Sequence, residues 1–254
     1  MSKQFRKICQ NNIEMIKKIK LPDIHLNCEN EAVFIDFRIL EHTEFLIRNS
    51  VYKLGENWSH TIVCGNVNYL FIKNICDSIS FNIRIIKLEY DNIDINTYNN
   101  LLLSVSFWKL FEGVKILLYQ EDSIIFKNNI NDFLIYDFIG APFCLDINKT
   151  AIGNGGFSLR NKQLLIDILL NKNYENFLNI KTKHLSGVIL DKSAEDVFFG
   201  NVFFNYKIGK IPTINVASLF SSENVRNKDS LGAHQIWKDI NWIQRMENLI
   251  NSYE

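Results

Sequence analysis

The chain has 254 residues, 47% of them hydrophobic, which is enough for a real core and excludes a disordered protein. Its 28 basic residues balance 28 acidic ones, so no global field recruits nucleic acid or an anionic membrane. Five scattered cysteines (Cys9, Cys28, Cys64, Cys76, Cys144), never spaced Cys-x-x-Cys, argue against a structural zinc site or a disulfide framework and favour a reducing compartment. The N-terminal residues lack the apolar core of a signal peptide and no stretch is long enough to span a bilayer. A soluble, cytoplasmic protein is expected.

Residues 4–19 set Phe5, Ile8, Cys9, Ile13, Ile16 and Ile19 near helical spacing, with lysines opposite. They predict a leading helix packed on the domain, stopped by Leu21-Pro22-Asp23. From Ala32 the chain alternates. Strands are predicted over 32–37, 60–65, 83–88 and 114–119, and helices over 42–54, 67–76 and 97–111. Short apolar strands separated by helices imply an α/β fold, a mostly parallel mixed sheet flanked by helices. Beyond Ser123 the pattern loosens. FIGAPF (138–143) and GFSLR (156–160) read as strands, 161–171 as a helix, 173–192 as polar loop, a helix starts at Glu195, and a strand is expected around 211–216. No repeat or low-complexity linker intervenes, so one domain is expected over 31–254, after an N-terminal helical extension over 1–30.

Three segments carry the chemistry. Val114 to Leu118 reads as a buried strand that ends in Gln120-Glu121-Asp122-Ser123. An unpartnered buried carboxylate costs several kcal/mol, so acids there imply an edge open to solvent or a metal ion. In open α/β sheets ligands gather at the carboxyl ends of strands. Hard cations such as Mn²⁺ and Mg²⁺ favour carboxylate oxygens and share their shell with phosphates, which suits Asp122, although an ordinary turn capped by Asp122 would look the same. Gly153-Asn154-Gly155-Gly156 lets a ligand approach the main chain, or simply turns the chain into FSLR. Glu195 and Asp196 open a helical segment about 100° apart around its axis, so one can face a cleft while the other caps or pairs. A cleft-facing carboxylate can deprotonate a hydroxyl. His234 lies in LGAHQIW, and His25, His42, His60 and His184 offer no ligand spacing with it. The first strand is followed by no Gly-x-Gly-x-x-Gly and no Gly-Lys-Ser/Thr loop, which excludes the usual dinucleotide and P-loop sites.

Taken together, YQEDS, FIGAPF, GNGGFSLR, EDVFFG and the late Gly-x-His before Trp237 resemble a family of glycosyltransferase-like proteins from bacteria and large DNA viruses, known as a domain of unknown function. FIDFR with Glu41 and YNNLLLSVSFW extend the resemblance from about Val33 to Trp237. It implies the GT-A fold, a single Rossmann-like domain using a nucleotide-sugar donor. Where that fold usually carries Asp-x-Asp this chain has Gln120-Glu121-Asp122, so only Asp122 aligns with the metal-binding final acid. The resemblance implies that Asp122 and His234 hold Mn²⁺ or Mg²⁺. Asp36, Arg38, Gln120, Glu121, Ser123, Gly155 and Gly156 would line the donor. The Glu-Asp-Val step resembles that of inverting β-1,3-glycosyltransferases, which maps the base onto Asp196 with Glu195 in support. The expected partners are a nucleoside-diphosphate sugar, UDP-sugar favoured, and a glycan or other hydroxyl acceptor, with specificity in loops 144–152 and 173–192. A sugar-phosphate nucleotidyltransferase and a non-catalytic sugar-binding relative are the alternatives.

Overall fold

The computed structural model describes residues 1–144, 153–179 and 189–253. Helices α1 (Ser2–Asn11) and α2 (Ile13–Ile16) precede strand β1 (Asn30–Ile35). There follow α3 (Thr43–Leu54), β2 (Trp58–Cys64), α4 (Tyr69–Ile79), β3 (Arg84–Lys87), α5 (Ile95–Leu102), α6 (Val105–Trp108) and β4 (Lys115–Tyr119). A tight turn then leads into β5 (Ser123–Ile125), β6 (Phe138–Gly140), β7 (Phe157–Asn161), α7 (Lys162–Leu170) and α8 (Glu175–Leu178). The chain continues through α9 (Glu195–Tyr206), α10 (Ile214–Phe220), β8 (Ser221–Ser222), β9 (Gly232–His234) and α11 (Trp242–Asn251).

The central sheet has the order β3-β2-β1-β4-β7-β6. Strands β3, β2, β1 and β4 run parallel, while β7 is antiparallel to both of its neighbours. Both faces are covered, as a near-continuous apolar strand requires. In β1, Ala32 and Phe34 enter one core with Phe5, Phe45, Ile62 and Leu117, and Val33 and Ile35 enter the other with Trp108, Ile116, Leu118 and Phe199. Phe5, Cys9 and Ile16 are buried, so the leading helices belong to the first of these cores.

Several expected elements differ. The helix expected over 97–111 is two, because Ser104 breaks it and caps the second with its side chain on Phe107 N–H. The strand expected around 211–216 is instead the start of α10, capped by Thr213. Within the expected loop 173–192, residues 175–178 are helical, and 180–188 lie outside the described residues. A second small sheet, β5-β9-β8, has no counterpart in the sequence reading. Its strands have three residues or fewer, too short for any periodicity to register. Asn49 of α3 anchors it, exchanging hydrogen bonds with Ile125 N–H and C=O at 3.0 and 2.9 Å.

Candidate active site at the strand ends

Register brings the expected residues to one edge. Phe34 pairs with Tyr119, and Tyr119 with Phe157. The segments after β1 (Asp36, Arg38) and after β4 (Gln120 to Ser123) therefore adjoin the turn before β7 (Gly155, Gly156). Gly156 C=O accepts from Gln120 N–H at 3.1 Å and from Ser123 Oγ at 2.7 Å, which knits the two turns together. Ser123 is thus spent on the scaffold. Ile152 and most of loop 144–152 fall outside the described residues.

The small sheet delivers His234 to this edge, since Ser123 pairs with His234 across β5 and β9. Asp122 Oδ1 lies 3.0 Å from His234 Nε2, and on the opposite side Glu223 Oε2 lies 3.1 Å from Nδ1. Lys238 Nζ donates to the other oxygen of Glu223 at 2.6 Å. A Cβ on Gly156 would come within 2.3 Å of the His234 ring, so only glycine admits the imidazole. Burial alone would lower the pKa of His234, but Asp122 and Glu223 on either side carry it up to about 10. Among the described residues no three His, Cys, Asp or Glu side chains gather into a full metal shell. Asp122 and His234 nevertheless suit a hard cation that completes its shell with phosphate and water. Both buried ring nitrogens lack an aligned hydrogen bond, and a cation on Nε2 would displace the proton that the ring carries between the two carboxylates.

Helix α9 supplies the second acidic pair, and its two members part company. Glu195 turns inward to Arg160, in a two-pronged contact at 2.6 and 3.0 Å. Arg160 is fully buried, 5.5 Å from the ring centres of both Trp108 and Phe138. Asp196 turns to the glycine segment, where its Oδ2 accepts from Gly155 N–H at 3.0 Å. Burial, then the charge of Glu195, push the Asp196 carboxyl up to about 7. Gly155 is constrained like its neighbour, since a Cβ there would meet Glu195 Oε1 at 2.2 Å. One dipeptide thus touches both the base candidate and the histidine. Helix α5 braces the arrangement: Asn99 Oδ1 accepts from Glu195 N–H at 2.6 Å, and Tyr98 OH accepts from Gln120 Nε2 at 2.7 Å.

Beside these residues opens a cavity of about 400 Å³, lined by Asp36, Arg38, Tyr98, Gln120, Glu121 and Asp122 among others. Arg38 clasps Asp36, with Nε and a terminal nitrogen on its two carboxylate oxygens at 3.0 and 2.6 Å. Glu121 lines the cavity, yet its carboxylate is held by Arg6 of α1 and lies 3.2 Å from His42 Nε2 and 3.5 Å from Arg38. Burial alone would raise its pKa, but His42 and Arg6 together hold it down at about 2. His42 Nε2 also meets Glu121 C=O at 2.8 Å.

Sequence reasoning missed Arg6, His42, Arg160, Glu223 and Lys238. Each acts through a partner between 11 and 115 positions away, so no local spacing marks it. The one local sign was Glu223 directly after the pair Ser221-Ser222, ahead of the late histidine.

The family described as "Protein of unknown function (DUF5672)" matches residues 80–234, more than half of the chain. No curated protein matches in sequence. Among solved structures, the apo-form glycosyltransferase GlyE of Streptococcus pneumoniae TIGR4 is similar, with a TM-score of 0.52 at 9% identity, over 88% of this chain and 62% of that one. The chain thus spans less than two thirds of GlyE. Mouse xyloside xylosyltransferase 1 in its apo form is similar with a TM-score of 0.51 at 10% identity, over 84% of this chain and 98% of that one. These likenesses establish a glycosyltransferase-like fold of the GT-A type. The chain belongs to the DUF5672 family.

Proposed function

We propose that this member of the family is an inverting glycosyltransferase, moving a sugar from a nucleoside diphosphate, UDP favoured, to an acceptor hydroxyl. One observation carries the reading: Gly155 bonds Asp196 while Gly156 packs on His234, so an acid with its pKa near 7 and an Asp–His pair meet at one strand-end turn. The donor's nucleotide would occupy the cavity beside Asp36, Arg38, Gln120 and Glu121. Asp122 and His234 would hold Mn²⁺ or Mg²⁺, which would neutralise the diphosphate leaving group. Asp196 takes the proton of the acceptor hydroxyl as its oxygen attacks the anomeric carbon from the face opposite the diphosphate. A base with a pKa near the working pH is well matched to that task. Glu195 pairs with Arg160, and its charge keeps the proton affinity of Asp196 high.

The test is nucleotide release from a panel of UDP-, GDP-, dTDP- and CMP-sugars with and without Mn²⁺. Release with one donor class, stimulated by Mn²⁺ and lost in Asp196→Asn, is the expected result. Metal-dependent binding without turnover under any acceptor would favour the sugar-binding relative. No binding of any nucleotide would sink the reading.

A further inference from the structure

We infer that Glu223 is a positioning residue that keeps the proton of His234 on Nδ1, leaving Nε2 beside Asp122 for a cation, and that Lys238 enforces the choice. The inference rests on the transferase reading above. Glu223 follows the two-residue strand β8, and β8 pairs with β9, so the carboxylate is delivered to the far side of the histidine ring from Asp122. It is buried, 3% exposed, and each oxygen has a different neighbour. Oε1 accepts from Lys238 Nζ at 2.6 Å, and Oε2 lies 3.1 Å from His234 Nδ1. Lys238 is itself held by Asn224 Oδ1 at 3.1 Å. With a cation on Asp122 and Nε2 the imidazole would be neutral, and Glu223, which can only accept, would hold its one proton on Nδ1 and leave the lone pair of Nε2 to the cation. Glycine at 156 lets the ring lie in this position, and no side chain from that turn competes for it.

The chain of charges also dictates what an amide would do. In Glu223→Gln, Lys238 can only donate, so it draws the amide oxygen to itself and turns the NH₂ toward Nδ1. That group can only donate, so it favours the tautomer protonated on Nε2, which blocks the nitrogen facing Asp122. The substitution is nearly isosteric, so a purely structural role would register little. Replacing Lys238 by Met in the same background frees the amide to flip and accept from Nδ1–H again.

The experiment is calorimetry of Mn²⁺ binding in the presence of whichever of UDP, GDP, dTDP and CDP the wild type binds most tightly. Glu223→Gln should weaken Mn²⁺ by about 10- to 100-fold, the usual effect of losing a partner behind a metal-bound histidine. Glu223→Gln/Lys238→Met should recover most of that loss, with Lys238→Met alone as its reference. Wild-type protein needs no variant for a second readout: with ¹⁵N-histidine, Mg²⁺ and the same nucleotide, His234 should carry its proton on Nδ1. Normal Mn²⁺ affinity in Glu223→Gln, no recovery in the double variant, or a proton on Nε2 would each overturn the inference alone. Wild-type protein with no metal-dependent nucleotide binding would overturn the metal-dependent reading and this inference with it.

Discussion

Asp196 and Glu195 are neighbours in sequence with opposite fates, and the difference is made by what each meets. Glu195 meets a buried guanidinium, whereas Asp196 meets one backbone N–H at the turn, and burial beside Glu195 raises it to about 7. As the proposed base it would work only when ionised, so turnover should rise with pH along an acid limb centred at about 7. Asp196→Asn should lower turnover by about 10² to 10⁴ while leaving donor affinity nearly unchanged, because the base serves the acceptor. Initial rates and calorimetric donor binding on the same preparation check this. A variant with near-normal turnover would remove the assignment. Asp122→Asn should do the converse, removing the Mn²⁺-dependent part of nucleotide binding. Gly156→Ala tests the packing argument, since its Cβ would stand where the His234 ring is. Metal-dependent binding should weaken sharply in that variant, and unchanged binding would show that the ring is free to move.

At the scale of elements, the N-terminal helices matter most, because they reach the cleft from outside the segment that the family match covers. Phe5 packs between His42 and Trp237, at ring separations of 6.2 and 5.9 Å, and is next in sequence to Arg6, which contacts Glu121. Phe5→Ala should therefore cost about 3 to 5 kcal/mol of stability by denaturant unfolding, the usual range for a buried aromatic. Arg6 is about one-third exposed, so its pairing adds only about 1 kcal/mol or less. The main effect of Arg6→Ala should instead be a weaker donor KM with kcat little changed, since Glu121 and the turn carrying Asp122 lose one of their braces. A large stability loss without a KM change would mean that the helix serves only the core. The pair Arg160–Glu195 plays the same bracing part for α9. Arg160→Met should destabilise by about 3 to 5 kcal/mol because it strands Glu195.

Across the whole molecule, buried ionisable groups make stability depend on pH in a way that can be signed. His234 has a folded pKa of about 10, above its ordinary 6.5, so its contribution is complete below pH 6.5 and is lost as pH rises through about 10. Glu121 is depressed from 4.5 to about 2, so its contribution is complete above pH 4.5 and is lost as pH falls through about 2. Asp196, raised from 3.8 to about 7, contributes fully below pH 3.8 and loses that contribution by about pH 7. Metal-free protein should accordingly lose stability between pH 6.5 and 10, and His234→Asn should flatten that part of the melting-temperature profile. An unchanged alkaline slope would mean that the histidine is not held between two carboxylates in solution.

The sequence by itself determined the alternation of strands and helices from Ala32 to Tyr119, because strands apolar on both faces and helices with one apolar stripe impose their periods locally. It also picked out Asp122, the two glycines and the Glu195-Asp196 step, each marked by a residue type unusual at its position. Among the described residues no helix is long and apolar enough to cross a membrane, in line with the hydropathy of the chain. Tertiary structure alone decided the rest. Helix α10 stands where a β-branched run suggested a strand, because the Thr213 cap and its packing outweigh a weak local preference. Strands of two and three residues have no period to read, yet they carry His234 to Asp122 and Glu223 to His234. Glu195 and Asp196 carry equal claims in the sequence; only the position of Arg160, 35 residues earlier and behind the sheet edge, makes one an ion-pair partner and leaves the other to the glycine turn. Partners so far apart in the chain meet only when the sheet register is set, and that register is a property of all the strands together.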